Sequence, residues 1–182
     1  MEKTITVKGE PFDIYITEEQ IAARVKELGA LLNREYDGKS PVFVGVLNGS
    51  FIFFADLIRH ITIDCEVDFI KLSSYGAEKI SSGQVSILKD LNCEVNNRHI
   101  IVVEDIVDSG LSIDFLRKLI LRENPASLSF VTLLMKKEVA KIDFPVDHVG
   151  FDIPPEFVIG YGLDYAQKLR NLRAIYRQRP QA

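Results

Sequence analysis

Apolar residues recur along this chain with two periods, roughly 2 and roughly 3.6, and their succession predicts the elements. Ile5, Val7, Phe12, Ile14 and Ile16 follow the shorter period on either side of 9–11, which predicts a short strand pair turning there. Thr17 and Gln20 have the spacing of a capping box. Ile21, Val25, Leu28 and Leu32 then recur at helical spacing, so a helix is expected to run to about Tyr36. VFVGVL (Val42–Leu47) reads as a buried strand, and Ser50 as the cap of a helix whose apolar face holds Phe54, Leu57, Ile58 and Ile61. A strand over 67–72, a polar stretch over 73–83 and a short strand over 85–88 follow. IIVV (100–103) predicts a further buried strand, then a loop and a helix carrying Phe115, Leu116, Leu119 and Ile120. LSFVTLL (128–134) is another strand, introduced by the stop at Asn124 and Pro125.

Buried strands alternating with amphipathic helices indicate an α/β fold built on a largely parallel sheet. Ligands of such sheets bind outside the carboxyl ends of the strands, which directs attention to 47–50, 73–76, 104–112 and 135–137.

Composition narrows the class. With 182 residues, 47% of them hydrophobic and 26% charged, the chain suits one domain with a single sizeable core. The net charge of -4 offers no general attraction to nucleic acid or to an anionic membrane. Arg170, Arg173, Arg177 and Arg179 make the C-terminal end locally basic, the pattern of a solvated helix face or tail. Cys65 and Cys93 are too few for a disulfide framework and read as small apolar residues. His60, His99 and His148 share no metal-ligand spacing and read as structural or surface residues. The N-terminal segment lacks a signal-peptide core and no apolar run is long enough to span a bilayer, so a cytoplasmic protein is expected.

The chemistry concentrates in VVEDIVDSGLS (102–112), where an apolar strand runs straight into Glu104 and Asp105. Asp108, Ser109, Gly110 and Ser112 follow before a helix, so backbone N–H groups, hydroxyls and the helix's positive end could close around an anion. An ordinary βα turn with Ser112 as helix cap would explain the serines but not the acids. Three carboxylates would repel a phosphate unless they address something else, and a sugar diol, a hard cation or a mobile proton are the natural partners. By itself the segment supports a ribose-phosphate and metal site.

This segment resembles the PRPP-binding motif of the type I phosphoribosyltransferases. Four others, in family order, narrow the resemblance to the hypoxanthine-guanine branch. LNGS (47–50) resembles the pyrophosphate loop, whose amides follow an often cis non-proline peptide. SSYG (73–76) resembles the opening of the mobile lid, LLMKK (133–137) the base-recognition lysine, and FVIGYGLDY (157–165) the purine hood with its metal-binding aspartate. Alone, each reads more simply as a helix-start turn, an exposed loop, solvated lysines, or a core aromatic with a helix cap. Together they span Val42 to Arg170.

The resemblance implies a type I phosphoribosyltransferase fold with a core of about 17–150 and a small hood lobe from about 1–16 and 151–182. It implies transfer of a phosphoribosyl group from PRPP to a 6-oxopurine, giving nucleotide and pyrophosphate. Glu104 and Asp105 would bind the ribose hydroxyls directly or through Mg²⁺, and Asp108, Ser109, Gly110, Leu111 and Ser112 the 5-phosphate. Leu47, Asn48, Gly49 and Ser50 would hold pyrophosphate with Arg170, under a lid containing Ser74 and Tyr75. Lys136 would donate to purine O6, Phe157 would stack on the ring, and the Val158 backbone would read the amidine edge. Asp164 would complete a second Mg²⁺ shell beside the base, and Asp108 would accept the N7 proton. A homodimer or homotetramer is implied, and no nucleic-acid or membrane partner. Asn48 departs from a frequent lysine, which implies altered affinity, and Leu111 and Ser112 from a basic residue and threonine. A regulatory nucleotide- or RNA-binding relative of the fold is one rival reading, against which Asp108, Lys136, Asp164 and the acidic charge balance speak; an enzyme for adenine or a pyrimidine is another, against which Lys136 discriminates.

Overall fold

The computed structural model describes residues 4–74 and 85–179. Its elements run β1 (Thr4–Val7), β2 (Glu10–Ile16), α1 (Glu18–Glu35), β3 (Val42–Leu47), α2 (Phe51–Ile58), β4 (Glu66–Ser74) and β5 (Val85–Lys89). They continue β6 (His99–Val107), α3 (Leu111–Leu121), β7 (Ser127–Met135), β8 (His148–Asp152), β9 (Val158–Ile159) and β10 (Ile175–Gln178). A six-stranded sheet of order β5-β4-β3-β6-β7-β8 is parallel throughout except for β5, which runs antiparallel on one edge. The two chain ends form a second, antiparallel sheet of order β1-β2-β10-β9.

Alternation along the central strands feeds two cores. Phe43, Ile101, Val103, Val131 and Leu133 pack with Ile21, Val25 and Leu28 of α1 and with Phe53 and Leu57 of α2. Val42, Val44, Val46, Ile100, Val102 and Phe130 pack instead with Ile113, Leu116 and Ile120 of α3. Period-2 strands with both sets apolar must be covered on both faces, and helices α1–α2 and α3 do this. The small sheet closes over Phe12, Ile159, Ala174 and Tyr176.

The expected capping box is present: the Thr17 side chain accepts from the Gln20 amide, and the Gln20 side chain accepts from the Thr17 amide at 2.9 Å. Three expectations, those for Ser50, Ile61 and Arg177, need correction. Ser50 sits at the N-cap of α2 but does not cap it; its hydroxyl donates back to the Val46 carbonyl at 2.6 Å. The ordinary-turn alternative at 102–112 does not hold either, because Ser112 lies inside the first turn of α3, whose cap is Gly110 in the left-handed region at φ +87°. Ile61 lies beyond the end of α2, and Arg177 lies on β10 rather than on a helix. The last case arises because Ile175 and Tyr176 have partners on β2 and β9, which the isolated segment does not reveal.

Candidate active site

At the carboxyl end of β6 the chain turns through Asp108, Ser109 and Gly110 into α3. Gly110 caps α3 with a positive φ, and a methyl group there would lie 2.4 Å from Ile142. The turn is held from outside by the Lys141 amide, which donates to the Ser109 carbonyl at 3.0 Å. Inside it is a cavity of about 80 Å³ lined by Glu104, Asp108, Ser109, Gly110, Leu111 and Ser112 among others. A small polar hollow at a helix N-terminus suits a phosphate group. A larger hollow of about 410 Å³ lies elsewhere, bordered by Asp90, Glu94 and Glu123, but its carboxylates would repel an anion.

The adjacent acids Glu104 and Asp105 point to different places. Glu104 continues the face of Ile100 and Val102 and borders the phosphate-sized cavity. Asp105 continues the face of Ile101 and Val103 and reaches the loop before α2, where a Cβ on Gly49 would lie 1.7 Å from its carboxylate. Burial, and then the neighbouring Asp105 carboxylate, push the Glu104 carboxyl well above the usual range. Burial raises Asp105 to about 6; Arg170 opposes the shift and Asp164 adds to it. Both acids are thus poorly solvated for their charge, and a diol or a cation would relieve them.

The loop between β3 and α2 contains a cis peptide at Leu47-Asn48, in keeping with the pyrophosphate-loop resemblance. Above it lies the turn 160–165. Gly162, at φ +100°, is pressed against the Gly49 carbonyl, which an added Cβ would approach to 2.1 Å. Asp164 accepts from Arg170 at 2.8 Å, and Arg170 also donates to the Gly162 carbonyl at 2.8 Å. Arg170, Asp164 and Asp105 therefore share one electrostatic neighbourhood, with the arginine already engaged. Among the described residues no three His, Cys, Asp or Glu side chains converge as a metal cage. Asp105 and Asp164 nevertheless supply hard oxygen donors at a site of surplus negative charge, the donor chemistry of Mg²⁺ bound with phosphate oxygens.

At the end of β7, Lys136 is 8% exposed and donates from Nζ to Asp108 at 2.7 Å. Its amide bonds the Val107 carbonyl at 2.9 Å, so the two loops are sewn together. Lys137 instead reaches outward to Asp152 at 2.6 Å, and this exposed pair takes no part in the site. Phe157 is 46% exposed, its ring braced edge-on by Phe12 and Tyr165. Val158 is buried on β9 opposite Arg177. Ser74 ends β4 opposite Val85, and Tyr75 lies outside the described residues. Tyr161, which donates to Asp56 at 2.6 Å, joins the turn to α2. Sequence reasoning passed over both residues; the signal was the GYG triplet 160–162, in which an aromatic interrupts two turn glycines.

With this geometry in view, residues 13–166 match the phosphoribosyl transferase domain. The hypoxanthine-guanine phosphoribosyltransferase of Bacillus subtilis (strain 168) is 48% identical over 159 residues, covering 87% of this chain and 88% of that protein. The crystal structure of a hypoxanthine-guanine phosphoribosyltransferase from Bacillus anthracis superposes with a TM-score of 0.86 at 47% identity, covering 91% of this chain and 97% of the other. That of a hypoxanthine phosphoribosyltransferase from Staphylococcus aureus gives 0.87 at 41% identity, covering 92% and 91%.

Proposed function

The chain belongs to the hypoxanthine-guanine phosphoribosyltransferases, and from that premise we propose how its residues divide the work of moving a phosphoribosyl group from PRPP to N9 of a 6-oxopurine in purine salvage. The observation that carries the reading is the Lys136–Asp108 pair, 2.7 Å apart beside the phosphate-sized cavity. A 6-oxopurine presents an O6 acceptor next to an N7–H donor, and an ammonium beside a carboxylate is its complement. A 6-amino group would set donor against donor at Lys136.

In this reading the amides and hydroxyls of 108–112 hold the 5-phosphate, and Glu104 and Asp105 accept from the ribose hydroxyls. The amides of Asn48, Gly49 and Ser50, following Leu47, cradle the pyrophosphate with Arg170, which keeps Asp164 as its counter-charge. Phe157 offers an exposed ring face to the purine, and the Val158 backbone reads its amidine edge. Ser74 and Tyr75 belong to a lid that excludes water from the ribose. The purine N9 lone pair bonds to C1 of the sugar as the bond from C1 to pyrophosphate breaks, and the N7 proton passes to Asp108. Glu104 and Asp105 offset the positive charge that develops on the sugar. Asp105 and Asp164, with Glu104 through the ribose, would hold Mg²⁺, which supplies charge neutralisation of the leaving pyrophosphate. We read the chain as a single domain acting in the cytoplasm as a homodimer or homotetramer, without nucleic-acid or membrane partners; no helix among the described residues is long and apolar enough to cross a membrane.

The test is a labelled-base assay with PRPP and Mg²⁺ over hypoxanthine, guanine, xanthine and adenine. Nucleotide formed from the oxopurines but not from adenine is the expected result. No nucleotide from any oxopurine would sink the reading, and a preference for adenine would overturn the role of Lys136.

A further inference from the structure

Gly160, Tyr161 and Gly162 all occupy the left-handed region, at φ +95°, +49° and +100°. Two of the three are glycine, for which that conformation is free; the tyrosine carries a Cβ penalty that its neighbours avoid. The contacts of the tyrosine side chain offset that penalty. Tyr161 is 6% exposed, and its hydroxyl donates to Asp56 at 2.6 Å across 105 residues of sequence. Burial and the Asp56 carboxylate both push the phenol upward, so it stays a protonated donor at neutral pH.

Asp56 stands on α2, and the first turn of that helix is continuous with the pyrophosphate loop. The Phe54 amide bonds the Ser50 carbonyl at 2.7 Å and the Phe51 amide bonds the Asn48 carbonyl at 3.3 Å. On the other side, the Tyr161 amide donates to Leu172 at 2.8 Å and the Gly162 amide to Arg170 at 2.9 Å. Between them Gly162 rests on the Gly49 carbonyl, where an added methyl would meet backbone, and Gly49 on Asp105, where it would meet the carboxylate. The purine-side residues are secured separately: Val158 and Ile159 pair with Arg177 and Tyr176 on β10, and the Gln178 amide bonds the Phe157 carbonyl at 3.1 Å.

We propose that the Tyr161–Asp56 hydrogen bond is a positioning link for the leaving group, locking the pyrophosphate loop 47–50 to the turn that carries Asp164 and Arg170. The inference rests on the function proposed above and names what aligns one half of that site. Tyr161 touches no reacting atom in this scheme. It sets the distance between the amides and the cation-binding acid that together grip pyrophosphate.

Steady-state kinetics in both directions test the link, using the full chain with Mg²⁺. Tyr161→Phe keeps the ring and removes one donor; it should raise KM for PRPP and for pyrophosphate about five- to tenfold while the purine KM stays within about twofold. Asp56→Ala should match it from the helix side, and serves if the tyrosine variant does not fold. The double variant should be no worse than either single change. Asp56→Asn, which keeps an oxygen acceptor, should recover most of the wild-type KM for PRPP. Unchanged KM values for PRPP and pyrophosphate would overturn the link, as would equal rises in all three KM values together with a lowered Tm, the mark of general support only. A wild-type protein that makes no nucleotide would instead remove the function on which the link rests; an active wild type with unaffected variants removes the link alone.

Discussion

Asp108 and Lys136 are unequally placed: the lysine side chain is 10% exposed and the aspartate 56%. The carboxylate compensates a nearly buried ammonium and is itself half exposed, as the proposed transfer of the purine proton to it requires. Asp108→Asn retains an oxygen acceptor for Lys136, and the fold should survive, but kcat should fall by about 10²–10⁴. Rapid-quench measurement beside a melting curve checks this; a near-normal kcat would exclude Asp108 as the proton acceptor. Lys136→Ala should raise the KM for hypoxanthine by about tenfold or more and leave that for PRPP within about twofold. Asp105 adds a pH signature to the metal-free protein. Its carboxyl titrates near 6 in the fold against an ordinary 3.8, so the folded state binds the extra proton between those values. Stability from this group therefore declines as pH rises through that window, and the penalty is complete above it. Asp105→Asn should be more stable than the wild type at pH 8 by about 1–2 kcal/mol, with the difference vanishing below about pH 4, while PRPP binding is lost. Denaturant titrations across that range measure it.

Where elements meet, two glycines predict different failures. A methyl on Gly49 would meet the end of the Asp105 side chain, which can swing away. Gly49→Ala should keep its Tm within a few degrees yet bind PRPP poorly, because the displaced carboxylate is a proposed ligand of ribose and metal. A methyl on Gly162 would meet backbone at the Gly49 carbonyl, from a left-handed conformation that alanine disfavours. Gly162→Ala should lose about 1–3 kcal/mol of stability as well as PRPP affinity. Equal melting temperatures for the two variants would contradict the stacked-backbone account. Neither partner was visible from the sequence: LNGS and GYG are both turn triplets or quartets by composition, and nothing local states that one rests on the other.

Over the whole molecule, the small sheet depends on β10, which lies between β2 and β9. Ile175 and Tyr176 are 0% and 3% exposed, and their strand closes both neighbours at once. A chain ending at Ala174 should therefore lose the bracing of Phe12 and Phe157 and with it purine binding, while the six-stranded sheet, whose strands all lie between 42 and 152, keeps its α3-side core whole and loses only Ile175 from the core on its other face. Far-UV circular dichroism close to that of the full chain, with purine binding abolished, is the expected outcome. Retained purine affinity would show that the chain ends do not build that half of the site.

Apolar periodicity determined the alternating strands and helices, the parallel sheet and the loops at its carboxyl ends, because burial on both faces of a sheet leaves unbroken apolar runs that can be read directly. The chemistry of 102–112 was legible for the same local reason: acids, hydroxyls and a glycine sit where a strand gives way to a helix. Folding alone decided what those acids meet. Strand alternation already implies that Glu104 and Asp105 diverge, but that one borders the phosphate-sized cavity and the other reaches Gly49 depends on segments distant in sequence. It also decided that Lys136 meets Asp108, that Ser50 bonds backward instead of capping, and that Arg177 belongs to a strand. These outcomes depend on contacts between segments far apart in the chain, as in the 105 residues between Asp56 and Tyr161.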